Sequence, residues 1–274
     1  MHVFHTHCQL GNQMFIYACA HSLAKEKNVN YCLSNISDLK YFVLTKNEKI
    51  NNFIKYLWFR ISSKILKYNF YHLQDNRIDY SLELSNETNK RNWYYGYFQG
   101  EKYFFNNEFE IRKRFEIKNQ YKVKFNNLKK EIIGEDKYAI VHIRLKDFKT
   151  FGPDFLRGPD LSLPFSYYHK LIKEIPNNYK IIFLSDEIEK VKIEFNYVEN
   201  AYFSKNSVIS DLQFIIKADI CILSCSTFSW WGAWLNKNTH KKIYVPKNFL
   251  GFKVNNEFPV KIIPPNWNQI EING

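Results

Sequence analysis

Two hydrophobic rhythms divide the chain. From residue 136 onward short apolar runs, "YAIVHIRL" (138–145), "YKIIFLS" (179–185), "DICILS" (219–224) and "KKIYVP" (241–246), alternate with stretches of helical spacing. The helical stretches are "SYYHKLIKEI" (166–175), "DEIEKVKIEF" (186–195), "DLQFIIKA" (211–218) and "TFSWWGAWLN" (227–236). Continuous apolar runs of strand length between helices predict a parallel sheet of Rossmann type, because only a sheet covered on both faces buries both sides of its strands. Ligands of such sheets bind at the carboxyl ends of the strands, which directs attention to the loops after 144, 185 and 224.

The first half is less regular. Residues 1–34 read as strand ("HVFHTH"), turn ("LGNQ"), helix ("MFIYACAHSLAKEKN") and strand ("VNYCLS"), a βαβ-like opening. Residues 41–75 differ: Ile50, Phe53, Ile54, Leu57, Trp58, Ile61, Ile65 and Leu66 recur near helical spacing, among Lys46, Lys49, Lys55, Arg60, Lys64 and Lys67. Glu48 is the single acid before Asp75. A basic amphipathic helix with Trp and Phe fits contact with an anionic membrane, and a helical hairpin packed on the core fits the same pattern. "RNWYYGYFQGEKYF" (91–104) reads as a strand running into a helix near Glu101, and 105–135 as polar helix. The expected division is an N-terminal α/β domain over 1–132, with a basic helical insertion at about 41–75, and a Rossmann-type domain over 133–274.

Composition narrows the partners. The 39 basic and 27 acidic residues give a net charge of +12, which favours an anionic partner: nucleic acid, anionic lipid or a nucleotide phosphate. Five cysteines at 8, 19, 32, 221 and 225 are odd in number and form no CxxC, so they are expected to be buried free thiols in a reducing compartment. The first residues, "MHVFHTHCQLGNQMF", carry no basic segment followed by an apolar one. No uncharged apolar run reaches the roughly 20 residues of a membrane span. A cytoplasmic protein is the expectation, peripheral on the inner face of the plasma membrane if 41–75 meets lipid.

Four constellations sit at predicted strand ends or helix starts. In "VHIRLKDF", His142 and Arg144 stand at i and i+2 and share one side of the strand. Arg144 offers a bidentate fork for a diphosphate, and Asp147 either orients Arg144 in a salt bridge or accepts a proton. In "FLSDE", Asp186 either caps the next helix or faces a nucleotide ribose or base. In "SCSTFSWWGAWLN", the free N–H groups of a helix starting near Phe228, with the hydroxyls of Ser226, Thr227 and Ser229, make a phosphate site without a glycine-rich loop. Trp230, Trp231 and Trp234 have the spacing of a packed helix face. In "LGNQMF", Gly11 permits close approach and Asn12 and Gln13 offer amides at a helix start. DxD, HExxH, GxSxG, GxGxxG and a Cys/His zinc cluster are all missing, so an Arg-centred diphosphate site with no metal is what remains.

In this order "LGNQMFIYACAHSLA", "GYFQGEKYF", "VHIRLKD", "FLSDEIEKVK", "DLQFIIKADICILSCSTFSWWGAWLN" and "PPNW" resemble the bacterial α-1,2-fucosyltransferases of glycosyltransferase family 11 over nearly the whole chain, 38–85 excepted. The resemblance implies an α/β, GT-B-like architecture of two Rossmann-type halves facing a cleft. It implies GDP-fucose as donor substrate, no cofactor, no metal, and inversion to an α-1,2 link on a galactose-containing acceptor, as in O-antigen or other surface polysaccharide. By it His142, Arg144 and Asp147 match the HxRxxD donor motif, with His142 and Asp147 both candidates for the base. Ser226, Thr227, Phe228 and Ser229 match the phosphate-side loop, Gly11, Asn12 and Gln13 the GNQ element, and Asp186 the SD element. The chain departs from the family pattern at Cys8 and Gln9, where Gly-Gly is usual, and at Leu145 and Lys146, where Arg-Gly is usual. A lipid-linked oligosaccharide acceptor would account for a membrane-facing basic helix.

Two other classes compete. A nucleic-acid-binding protein would use the basic 46–67 region, but it gives no reason for the His, Arg and Ser residues at strand ends, so no nucleic-acid partner is expected. A noncatalytic sugar-nucleotide binder would keep the site and tolerate the departures at Cys8, Gln9 and Lys146.

Overall fold

The computed structural model describes residues 1–43 and 46–272, so Leu44 and Thr45 of the 41–75 segment lie outside the described residues. The chain forms two compact units, 1–118 with 259–262, and 119–258 with 263–274. The division falls at 118/119 where the sequence reading placed it at 132/133. The intervening helix belongs with the second unit because its Phe125 stacks edge-on against Phe214 at 4.8 Å.

The first unit runs β1 (His2–His5), α1 (Leu10–Glu26), β2 (Tyr31–Leu33), α2 (Lys46–Ser62), β3 (Asn69–Leu73), α3 (Ser81–Asn86), β4 (Asn92–Gly96) and α4 (Glu108–Arg114). Its four strands are all parallel in the order β2-β1-β4-β3. Helix α1 is buried on nearly every side between Leu10 and Ala24, which explains why its apolar residues are not confined to one face. "LGNQ", expected as a turn, is instead the first turn of α1. The reversal lies upstream, at Cys8, whose φ of 63° is left-handed. Cys8 is also exposed, against the expectation of a buried thiol, whereas the other four cysteines are buried.

The 41–75 segment is not a helical hairpin. One helix, α2, is followed by the edge strand β3, which pairs with β4 from Asn69↔Asn92 to Leu73↔Gly96. Helix α2 docks through Phe59, which is buried with Val3 and Cys32 and meets Trp93 edge-on at 5.4 Å.

The second unit runs α5 (Asn119–Ile132), β5 (Tyr138–Ile143), α6 (Phe165–Ile172), β6 (Lys180–Ser185), α7 (Ile188–Glu194), β7 (Ala201–Phe203), α8 (Val208–Lys217), β8 (Ile220–Ile222), α9 (Thr227–Leu235), β9 (Lys242–Pro246) and β10 (Asn268–Ile270). The six strands are parallel in the order β10-β9-β8-β5-β6-β7. From β5 the chain winds outward through β6 to β7, returns to the other side of β5 as β8, and winds outward again through β9 to β10. That is the Rossmann order, and the direction reverses between β5 and β8. Every residue of β5 is buried, as its apolar run requires.

The Trp-rich helix α9 supports this switch point. Trp230 and Trp231 are fully buried and meet edge-on at 5.1 Å, and Trp267 of the "PPNW" element closes on Trp230 at 5.6 Å. Gly232 lets α9 approach α8, since a Cβ there would stand 2.6 Å from Ile215.

Candidate functional site

The end of β5 and the loops that leave β5 and β8 place His142, Arg144, Asp147 and Ser226 at the same end of the sheet. Strand β5 pairs with β8 through Val141↔Ile222, so the next residues of both strands emerge side by side. His142 Nδ1 and Ser224 Oγ are 2.8 Å apart in the interior, a link between the two strand ends across the switch point. The His142 ring is 6% exposed and lies 5.9 Å from Phe228. Burial, and secondarily the Arg144 charge, pushes its pKa down to about 3, so the imidazole is neutral at physiological pH.

Arg144 is held on two sides. Its Nε and Nη2 donate to Asp147 Oδ1 and Oδ2, both at 2.9 Å, the fork geometry expected of an arginine–carboxylate pair. Its Nε also lies 3.3 Å from Asp186 Oδ2. Burial raises the Asp147 pKa, but the hydrogen bond and charge of Arg144 outweigh it and hold the carboxyl below its ordinary range.

Asp186 does not cap α7, whose N-cap is Glu187 without a side-chain bond. Its carboxylate instead accepts from the backbone N–H of Leu145 at 3.0 Å and of Lys146 at 3.1 Å. It thereby fastens the β5 loop to the end of β6. Leu145 is buried, so its side chain belongs to the core, whereas Lys146 is exposed.

Helix α9 begins as its sequence demands. Ser226 is the N-cap, its Oγ accepting from Phe228 N–H at 3.3 Å and its carbonyl accepting from Trp230 N–H. Ser229 is fully buried and donates to the Ser226 carbonyl at 3.1 Å, so its hydroxyl is spent inside the helix and cannot reach a ligand. Thr227, half-buried in the first turn, stands outside these bonds.

Gly11, Asn12 and Gln13 belong to the first unit. Gly11 and Gln13 are buried in α1. Gln13 Nε2 donates to the Cys8 carbonyl at 3.1 Å and to Asp38 at 2.8 Å, which makes it a brace for the β1–α1 turn. Asn12 Oδ1 accepts from Gln99 Nε2 at 2.8 Å, joining the first turn of α1 to the segment after β4. Cys8 takes the left-handed conformation, which glycine adopts at no steric cost.

Sequence reasoning missed Ser224, Gln99 and Asp38. Each lies 25 to 87 residues from its partner, and no local spacing announces such pairs.

Over 256 residues the chain is 27% identical to an α-1,2-colitosyltransferase of Escherichia coli, covering 82% of this chain and 84% of that protein. It is 30% identical to the O-antigen biosynthesis glycosyltransferase WbnK of Escherichia coli over 128 residues, which cover only 44% of this chain and 42% of WbnK. The crystal structure of POFUT1 in complex with GDP-fucose aligns with a TM-score of 0.56 at 10% identity, over 89% of this chain and 96% of that one, a likeness of fold to a GT-B-like fucosyltransferase. The model of glycosyl transferase family 11 matches residues 3–271, from the second residue of β1 to just past β10. That match takes in both parallel sheets and the whole β5–β8 switch point, and the chain belongs to glycosyltransferase family 11.

Proposed function

We propose that this glycosyltransferase moves fucose from GDP-β-L-fucose, with inversion and without a metal, to the 2-hydroxyl of a galactose-containing acceptor in surface polysaccharide such as O-antigen. The observation that carries the reading is that Arg144 follows β5 and the start of α9 follows β8, neighbouring strands at the switch point of a Rossmann-ordered sheet. The diphosphate would lie in that crevice, with the Arg144 guanidinium, braced by Asp147 and Asp186, on one side and the Thr227 N–H and hydroxyl and the Ser226 hydroxyl on the other. Preorganised donors of this kind stabilise GDP as its bond to the sugar breaks, and they need no reorganisation at the moment of reaction. Phe228, against the His142 ring, shapes the floor of the crevice.

The acceptor hydroxyl must lose a proton. Of the two candidates, Asp147 is half exposed and can meet an incoming hydroxyl. His142 is buried with its Nδ1 on Ser224, so we assign it the positioning of the β5 and β8 ends. A weak base such as Asp147 suffices where the transition state already carries oxocarbenium character. A lipid-linked acceptor, and work at the inner face of the plasma membrane, belong to the same reading. No described helix is long and apolar enough to cross a membrane.

GDP release from GDP-fucose, measured with and without galactose-terminated acceptors and with EDTA, tests the assignment. Arg144→Ala should lower turnover by about 10²–10³. Near-normal turnover in a folded Arg144→Ala protein overturns the site, EDTA sensitivity overturns metal independence, and no release with any acceptor favours a noncatalytic binder. The colitosyltransferase relative supports a second reading, in which colitose replaces fucose. Faster release from GDP-colitose than from GDP-fucose would decide for it.

A further inference from the structure

Helix α2 is inverted relative to an ordinary surface helix. Its inner face is held by Phe59, Ser62 and the Asn52 amide, which both donates to and accepts from Leu33. Its outer face, where polar side chains would normally stand, presents Ile50, Phe53, Ile54, Leu57, Trp58 and Ile61 to solvent, with Phe53 68% and Trp58 58% exposed. At 100° per residue these six fall within one stripe about 140° wide. Ile65, 84% exposed, extends the stripe into the following turn. A contiguous apolar face of this kind on a single helix marks a contact surface.

The charges around the stripe identify its partner. Arg60, Lys64 and Lys67 are exposed beside its C-terminal end, and none has an acidic partner among the described residues. No acid occurs between Lys49 and Gln74. The single acid of α2, Glu48, is paired with Arg114 of α4. A second copy of the chain seated on this face would bring basic residues against basic residues with no carboxylate to separate them. An anionic lipid surface supplies the missing negative charge and an apolar layer directly beneath it.

We propose that α2 docks the protein on an anionic bilayer, lying in the plane of the interface with Phe53, Leu57, Trp58 and Ile61 in the acyl boundary and Arg60, Lys64 and Lys67 at the headgroups. The inference deepens the placement at the inner membrane face in the proposed function, and it is tested without the transfer reaction. The full chain is sedimented with vesicles of phosphatidylcholine alone and of phosphatidylcholine mixed with phosphatidylglycerol. Binding is expected to the mixed vesicles, weakening as ionic strength rises.

Phe53→Glu with Trp58→Glu should lower partitioning roughly 100-fold or more. Arg60→Gln with Lys64→Gln should lower it roughly 30-fold. All four side chains are exposed, so circular dichroism and GDP release with a soluble acceptor should stay at wild-type levels. The proposal is overturned by absence of binding to either vesicle, by equal binding to neutral and anionic vesicles, or by variants that bind as the wild type does. A concentration-dependent dimer dissolved by the same substitutions would overturn it in favour of a second copy.

Discussion

The buried imidazole of His142 makes a quantitative demand on stability. The unfolded chain takes up a proton at this residue as pH falls through its ordinary value of 6.5, but the folded protein refuses it until about pH 3. A folded-state pKa depressed in this way costs stability progressively between those two values, and the cost is complete only below the lower one. Between pH 7 and about pH 5 the site should remove about 2 kcal/mol from the folding free energy. His142→Asn keeps a polar atom near the position of Nδ1, facing Ser224, but cannot titrate. Urea unfolding at both pH values, followed through the second unit's buried Trp230, Trp231, Trp234 and Trp267, gives the two slopes. His2, also pushed down to about 4 by burial, is present in both proteins and contributes equally to both curves. The variant is expected to be less stable at pH 7 yet to lose about 2 kcal/mol less than the wild type on acidification. Equal losses in the two proteins would refute the reasoning, because they would mean that His142 takes up its proton in the folded state as readily as in the unfolded one.

Two further outcomes follow from the geometry. Asp186→Ala strips the acceptor from the Leu145 and Lys146 amides, which should cost about 3 kcal/mol of stability and, by loosening the loop that holds Arg144, lower GDP release roughly 100-fold; an unchanged urea midpoint would show that the clamp contributes nothing. Cys8→Gly relieves a left-handed residue of a strain of roughly 1–2 kcal/mol, less what glycine loses in backbone entropy, so the thermal midpoint should rise by the equivalent of about 0.5–1 kcal/mol; a fall would mean that the Cys8 side chain makes a contact worth more than the strain.

What the sequence made legible was whatever is encoded by local period. The strands of the second unit stand out because a sheet covered on both faces makes each strand a continuous apolar run, as β5 shows residue by residue. The tryptophans of α9 read as core because helical spacing puts them on adjoining faces, and all three are buried. Strand β3 stayed hidden for the opposite reason. It is an edge strand with one wet face, only five residues long, and it directly follows a helix whose apolar spacing the reading simply extended.

The candidate site was legible as a set of loops but not as a circuit. His142, Arg144 and Asp147 could be placed together from spacing alone. Their ties to Ser224 and Asp186 depend on which strands become neighbours, and β5 has β6 on one side and β8 on the other only because the sheet order reverses there. The reversal also changes what those residues do. At a strand end inside the sheet, His142 is buried and neutral, and it bonds Ser224 beyond the end of the neighbouring strand. Asp186 faces the loop of the neighbouring strand, so its carboxylate accepts from two amides there and lies against the Arg144 Nε. Arg144 is then the cation of the set, fixed in place by Asp147 and Asp186. On the reading proposed above, the transfer would rest on that guanidinium and on the start of α9, with the other residues deciding how accurately the two are held.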